Sequence, residues 1–355
     1  MSDRLRTAVL FGGKSSEYEV SLRSAMFVLT SLDPEKYEVL PIGITRENIW
    51  KLYGGPLDRI PSDEWDSPAL PEVVLRPGCP KEPLAALRSG KLEPLAVDVV
   101  FPVLHGKNGE DGTVQGAFQL CGTPIVGCEC DASAACMNKV YTHEVLAAEG
   151  IPSAEYLCVR ADEASDLDAI ERRAREKLGY PIFVKPARAG SSVGVTKAHD
   201  AGQLREGLRA ALREDSIVLL ERTLHGMEVE CAVMGNGRPF ATEPAEIVSA
   251  AEFYDYAAKY DDIGSEVIIP ARLSPEMTEK VRNTARRAYR ALFCRGLSRV
   301  DMFAAEDGTV YVNEINTLPG FTAISGYPLM MANMGIKGPA LCDRLIGLAL
   351  GREAE

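Results

Sequence analysis

The run LSRVDMFAAEDGTVYVNEIN, residues 297–316, holds the side chains whose spacing suggests chemistry most directly. Asp307-Gly308 sits between two alternating strand-like runs, which predicts a hairpin with a two-residue type I′ turn. That turn sets Asp301 opposite Glu314 and Arg299 opposite Asn316, with facing Cβ atoms about 5 Å apart. Glu314 and Asn316 also share a face, because residues two apart in a strand point the same way. Two carboxylates and an amide oxygen are hard donors of the kind Mg²⁺ prefers. Like charges facing each other destabilise a sheet, and a cation between them removes that penalty. A proton shared by the carboxylates, or a slip of register, is the alternative. The strand then breaks on Pro319-Gly320.

Four other stretches carry chemistry. In FVKPARAGSSVGVTK a strand delivers Lys185, and Gly190, Ser191, Ser192 and Gly194 form a small, donor-rich loop. Such a loop lets backbone N–H groups approach phosphate oxygens, and Lys185 and Arg188 flank it. The lysine precedes the glycines, so this is not a Walker A loop. In VLLERTLHGMEVECAV, Glu221 ends a buried strand and Glu228 follows a glycine turn. They are either acceptors for ribose or adenine, or simply exposed acids. LFGGKSSEYEVSLRSA places glycines between a first strand and a helix, lacks the third glycine of a dinucleotide fingerprint, and puts Glu17 at the helix start. Glu17 there holds an ammonium group or merely favours the helix dipole. FYDYAAKY, residues 253–260, has three tyrosines and Lys259 without clean periodicity. It reads as an active-site lid or as an aromatic surface loop.

The elements that must position these groups alternate. TAVLFGG and YEVLPIGIT read as strands around the helix EVSLRSAMFVLTSL, with IWKLY a third strand and VDVVFPVLHG a fourth. Residues 54–95, rich in Pro, Gly and charge, read as an irregular excursion. An open, mostly parallel α/β layer is therefore expected to about residue 128. A second unit runs from the NKVYTHEVLAAEG helix through EYLCV, a charged helix over 163–178 and YPIFVKP. A third has strands at 217–222, 228–234 and 297–316 and ends on the helix PALCDRLIGLAL.

Composition excludes several classes. With 355 residues, 46% hydrophobic and 25% charged, the chain has the profile of a soluble globular protein of two or three domains. A net charge of −12 argues against wholesale nucleic-acid binding. No apolar run approaches the ~20 residues that span a bilayer, and the N-terminus is too charged for a signal peptide. Nine scattered cysteines without paired zinc spacing read as reduced thiols of a cytoplasmic protein.

Taken in order, LFGGKSSEYEVSLRSA, HGKNGEDGTVQGAFQLCGTPIVG, MNK, FVKPARAGSSVGVTK, FYDYAAKY, RVDMF and NEINTLPGFTAIS resemble the D-alanine–D-alanine ligase family of ATP-grasp enzymes. PIGITRENIW and VFPVLHGKNGEDG look closest to the branch containing the vancomycin-resistance ligases. The resemblance implies an α/β, ATP-grasp fold: an N-terminal open α/β domain (1–128), a central ATP-grasp domain (129–222) and a C-terminal one (223–355). It implies that Lys139 and Lys185 hold ATP phosphates under the Ser191–Ser192 loop, with Glu221 at the adenine and Glu228 at the ribose. It matches Asp301, Glu314 and Asn316 to ligands of two Mg²⁺, for which Mn²⁺ can substitute. Glu17 would bind the ammonium of a first D-alanine with His105 nearby, and Lys259 would reach the transferred phosphoryl group. Tyr260 would join Glu17 and Ser191 in closing the lid. Arg299 and the Gly320 N–H match the oxyanion donors, and Ser325 the group holding the second substrate's carboxylate.

The implied reaction is ATP-dependent ligation of two D-alanines through an acyl phosphate, for peptidoglycan precursors. Gly326 departs from the pattern, since relatives usually carry a side chain there beside the second-substrate pocket. D-alanine–D-serine ligation is therefore the second expectation. The Lys-Tyr of the lid favours either over D-lactate. A cytoplasmic homodimer acting on D-amino acids, without nucleic acid or membrane, completes the implied picture.

Overall fold

The computed structural model describes residues 4–248 and 266–352. The lid stretch with Lys259 and Tyr260 lies outside the described residues.

The first sheet is built on β1 (Leu5–Gly12), whose Ala8 to Phe11 are wholly buried. A continuous apolar run of this kind belongs to a parallel strand covered on both faces. It pairs in parallel with β2 (Tyr37–Ile44), across the helix α1 (Tyr18–Ser31), and with β7 (Val99–Pro102); β3 (Trp50–Leu52) adds an antiparallel edge to β2. The excursion over 54–95 is more ordered than its composition suggests. It contains β4 (Val73–Leu75), β5 (Leu84–Arg88) and β6 (Lys91–Leu95), an antiparallel meander. Leu84, Ala85 and Ala86 of β5 are buried, while Leu87 and Leu92 stay exposed. Because successive residues point to opposite faces, the first half of β5 is covered on both.

After α2 (Thr113–Cys121), α3 (Cys130–Met137) and α4 (Lys139–Ala148), a second sheet has the order β10–β9–β11–β8. Its strands β8 (Tyr156–Arg160), β9 (Ile182–Pro186), β10 (Thr196–Ala198) and β11 (Ile217–Arg222) pair antiparallel. It is covered by α5 (Leu167–Leu178) and α6 (Ala201–Glu214), which start on the Asp166 and Asp200 carboxylates. Each such cap is worth about 1 kcal/mol.

The third sheet runs β15–β14–β12–β16–β17, with β13 (Phe240–Ala241) also on β12. Its members are β12 (Met227–Met234), β14 (Ala245–Val248), β15 (Glu266–Ile268), β16 (Leu297–Ala304) and β17 (Val310–Asn316). The long helix α7 (Pro275–Ala291) packs on one face. The short α8 (Gly326–Asn333) and α9 (Gly338–Ala349) lie on the other, in one core with α1, β1 and β12. The first and third sheets are thus joined by shared apolar burial.

All nine cysteines are free thiols, and six are buried. Among the described residues, no helix is long and apolar enough to cross a membrane.

Candidate active site

The β16–β17 pair has Arg299 opposite Asn316 and Asp301 opposite Glu314. The expected register is present, but the turn is not the expected one. Gly308 N–H donates to Ala305 O at 3.0 Å, and Ala305 N–H to Thr309 O at 2.9 Å, closing a three-residue loop. Gly308 has φ +82°, whereas Asp307 is not among the positive-φ residues, so the turn is not type I′. Ala304 consequently faces Val310, and Met302 faces Val312, one residue away from the two-residue pairing. A bulge between the Asp301 and Met302 pairs then restores the register. Asn313 is the extra residue. A bulge lets neighbouring side chains re-aim, and Asn313 and Glu314 both border the same cleft.

That cleft encloses about 820 Å³, open mouth included, enough for a nucleotide-sized ligand. Its lining includes Lys139, Lys185, Ser191, Ser192, Glu221, Glu228, Asp301 and Glu314. These are eight of the residues singled out from sequence, brought together from the second and third sheets, the start of α4 and the glycine loop.

At one end of the cleft a single buried carboxylate is held from two sides. Glu221 Oε2 lies 2.5 Å from Lys185 Nζ, and His143 Nε2 lies 2.9 Å from Glu221 Oε1. His143 Nδ1 meets Ser153 Oγ at 2.9 Å, and its ring stacks on Tyr156. Burial alone would raise the Glu221 pKa, but Lys185 and His143 overcome it and hold the carboxyl down at about 2. Lys185 also donates to Asn313 Oδ1 at 3.2 Å, a bond from the second sheet to the bulge of the third. Lys139 Nζ donates to Ala189 O at 2.9 Å and stands 3.7 Å from Glu314 Oε2. Arg188 is turned away from the loop it flanks, with its guanidinium bonded to Asp215.

Past the other end, where Asp301 and Glu314 line the cleft, the largely buried guanidinium of Arg299 is held by acids. Arg299 Nε and Nη2 donate to Asp301 at 2.7 and 2.6 Å, and Nε lies 3.2 Å from Glu230 Oε1. Burial would lower the arginine's pKa, but Asp301, Glu230 and Glu314 keep it well above its ordinary value. Asn316 Nδ2 donates to Asp301 Oδ2 at 3.0 Å. Asp301, Glu314 and Asn316 form a hard oxygen set with surplus negative charge, which fits a divalent cation. Among the described residues, no cluster of three or more His, Cys, Asp or Glu poised for a metal occurs. The third donor here is an amide.

Beside this end, the Ser191 hydroxyl donates to Glu17 Oε1, tying the glycine loop to the first sheet. Ser191 and Ser192 have φ +49° and +58°, both in the left-handed region. Gly106 N–H donates to Glu110 Oε2 at 3.0 Å. The Glu110 carboxyl is pushed up to about 8 by burial and by the nearby charge of Glu17, with a contribution from Glu314.

His105 has both ring nitrogens engaged. Nδ1 lies 2.9 Å from Leu318 O, which only accepts, so Nδ1 carries the proton. Nε2 then accepts from Ser24 Oγ at 3.0 Å. Ser24 Oγ accepts in turn from Phe321 N–H at 3.2 Å. The histidine therefore braces the Pro319-Gly320 turn from both sides. Ser325 Oγ lies 3.0 Å from Thr322 N and 2.8 Å from Thr322 Oγ1, closing the 322–325 turn beside Gly320, with Gly326 opening α8.

Sequence reasoning passed over Asn313, His143, Glu110 and Glu230. A bulge has no local motif, and His143, one helical turn after Lys139, gains its meaning only from Glu221, 78 residues later. Glu110 stood in the quoted HGKNGEDG stretch without a role.

The chain matches the family model described as "D-ala D-ala ligase N-terminus" over residues 6–128 and that described as "D-ala D-ala ligase C-terminus" over 145–347. It is 46% identical to the D-alanine–D-alanine ligase of Acetivibrio thermocellus, with 99% of this chain and 97% of the relative covered. It is also 46% identical to that of Clostridium acetobutylicum, with 98% of each covered. Among solved structures, the VanG D-Ala:D-Ser ligase from Enterococcus faecalis superposes with a TM-score of 0.89 at 40% identity, covering 98% of this chain and 99% of that one. The D-alanine–D-alanine ligase from Coxiella burnetii gives 0.86 at 32%, covering 98% and 94%.

Proposed function

Because the chain belongs to the D-alanine–D-alanine ligase family of ATP-grasp enzymes, we propose that it joins two D-alanines at the expense of ATP, for peptidoglycan precursors. The observation that carries this reading is the charge layout of one cleft: lysines and a donor-rich loop at one side, Asp301 and Glu314 at the other, with Arg299 bound to Asp301.

Lys139, Lys185 and the Ser191–Ser192 backbone bind and neutralise the triphosphate, while Glu221 and Glu228 receive the nucleoside. Asp301, Glu314 and Asn316 would hold Mg²⁺, with Mn²⁺ as substitute. When bound, such ions neutralise charge on a phosphoryl group in transfer. Glu17 receives the ammonium of the first D-alanine. Its carboxylate is a poor electrophile until phosphorylated, and the acyl phosphate is then open to the amine of the second D-amino acid. Arg299 and the Gly320 N–H are donors aimed at the oxyanion of that addition, a role worth several kcal/mol when preorganised. Ser325 orients the acceptor's carboxylate beside Gly326. Lys259 and Tyr260 complete the proposal as lid residues.

The domains proposed are 1–128, 129–222 and 223–355, and the working form is a cytoplasmic homodimer. D-alanine–D-serine ligation is the second reading, supported by the 40% identity to the D-Ala:D-Ser ligase. Incubation with ATP, Mg²⁺ and D-alanine, alone and with equal D-serine or D-lactate, followed by mass spectrometry, tests both. D-alanyl-D-alanine as main product supports the first reading, and D-alanyl-D-serine the second. A depsipeptide as main product, or no product, overturns both.

A further inference from the structure

One buried acid beside the reaction centre has no part in the steps above. Glu230 on β12 faces Asp301 of β16 in the antiparallel ladder and is 5% exposed. Its Oε1 lies 3.2 Å from Arg299 Nε, the nitrogen that also donates to Asp301 Oδ1. The guanidinium is therefore held by carboxylates from two adjacent strands.

The other oxygen of Glu230 reaches a different element. A Cβ built on Gly326 would sit 2.6 Å from Glu230 Oε2, closer than real Cβ contacts. The φ of Gly326 lies outside the left-handed range, so its backbone does not demand glycine. Space demands it. Gly326 directly follows Ser325, whose Oγ closes the loop on Thr322 and would lie 3.1 Å from a Cβ at Gly320. One carboxylate thus spans the gap between Arg299 and the loop carrying Gly320 and Ser325.

We propose that Glu230 is a positioning residue for the ligation step, and that Gly326 is glycine to admit its carboxylate. Glu230 sets the separation between the Arg299 guanidinium and the Gly320–Ser325 loop, the two sides of the oxyanion site. The inference rests on the ligase reading of those groups. Displacement of a reacting geometry by about 1 Å can cost about a hundredfold in rate, so the effect belongs in kcat.

The test is a cycle of Gly326→Ala, Glu230→Asp and the double variant, with Glu230→Gln as a shape-conserving control. For each, kcat and KM for ATP and for D-alanine are measured, with binding of a nonhydrolysable ATP analogue verifying the folded nucleotide site. Gly326→Ala should lower kcat ten- to hundredfold with KM for ATP within twofold. Glu230→Asp, which draws the carboxylate back by one methylene, should cost about tenfold. Adding Gly326→Ala to Glu230→Asp should cost less than twofold more, because the added methyl then has room. Glu230→Gln should lower kcat about tenfold without changing KM for ATP. Equal costs of Gly326→Ala in both backgrounds, or a Glu230→Gln enzyme within twofold of wild type, would overturn the role of Glu230 while leaving the ligase reading intact. Failure of the wild type to form dipeptide would overturn both.

Discussion

The two ends of the cleft are electrostatic opposites. At the Lys185 end, one carboxylate, Glu221, is held by an ammonium and an imidazole, and Lys139 adds further positive charge nearby. At the Arg299 end, one guanidinium is surrounded by Asp301, Glu230 and Glu314. The first end is short of negative charge and the second has too much of it. Under the proposed function, an anionic triphosphate would supply what the first lacks, and divalent cations would supply what the second lacks. A protein with net charge −12 can handle an anion because its positive charge is local. The difference teaches that neither end is finished without its ligand.

The sharpest way to break this comparison is to remove the lone guanidinium. Arg299→Ala should lower kcat by about 10²–10³-fold, the usual cost of losing a preorganised oxyanion donor, as read by ADP release in the presence of D-alanine. A variant within tenfold of wild type would mean the arginine only balances its acids.

The opposite end is tested by acid. Glu221 titrates at about 2 in the fold against an ordinary value of 4.5. Its folded pKa is depressed, so the associated stability is present above about pH 4.5 and disappears as pH falls towards 2. The difference corresponds to about 3 kcal/mol. Urea unfolding of wild type and Glu221→Gln between pH 6 and 2.5 should show a steeper loss in the wild type. Parallel curves would remove Glu221 from the account of acid lability.

The surplus of acid at the Arg299 end is probed by metal. Chelation should abolish turnover and Mg²⁺ or Mn²⁺ should restore it, with Asp301→Asn requiring about tenfold more Mg²⁺ for half activation, a change of about 1.4 kcal/mol. Full activity in excess chelator would refute the assignment of these oxygens. The smallest effect is expected where the two ends are tied together. Asn313→Ala, which removes the bond from Lys185, should raise KM for ATP about fivefold, close to 1 kcal/mol, and leave kcat within twofold. A change confined to kcat would place Asn313 in the chemistry instead.

Much of this site was legible. The pairing of Asp301 with Glu314 was written in the alternation of 297–316, though by a route the chain does not take: the loop has three residues where two were expected, and a bulge makes up the difference. Turn preference around Asp-Gly is real, but Glu306 joins the loop and Gly308 alone adopts the left-handed conformation. Glu17 and Ser191, 174 residues apart, were linked through the family resemblance rather than through their spacing, and they are hydrogen-bonded in the fold. The meander over 54–95 was missed because its strands are three to five residues long and β6 is almost wholly exposed, so no alternation shows. Gly326 stood out in the sequence, but its contact with Glu230 did not, since that residue lies 96 positions earlier on β12. Buried partners brought together by the fold leave no local pattern.

The bulge at Asn313 also makes this stretch of chain tolerant of a change in length. Asn313 stands outside the pairing of β16 with β17. Its deletion would place Glu314 directly after Val312, so Asp301 would still face Glu314 while Met302 still faces Val312. The two acids would keep their meeting, and the tie to Lys185 would be lost. The turn is free in the same way, because Ala305 can face Thr309 across a loop of two residues as well as three. Length can therefore vary at either place independently, and a homologous chain without the extra residue should still bring the two acids together.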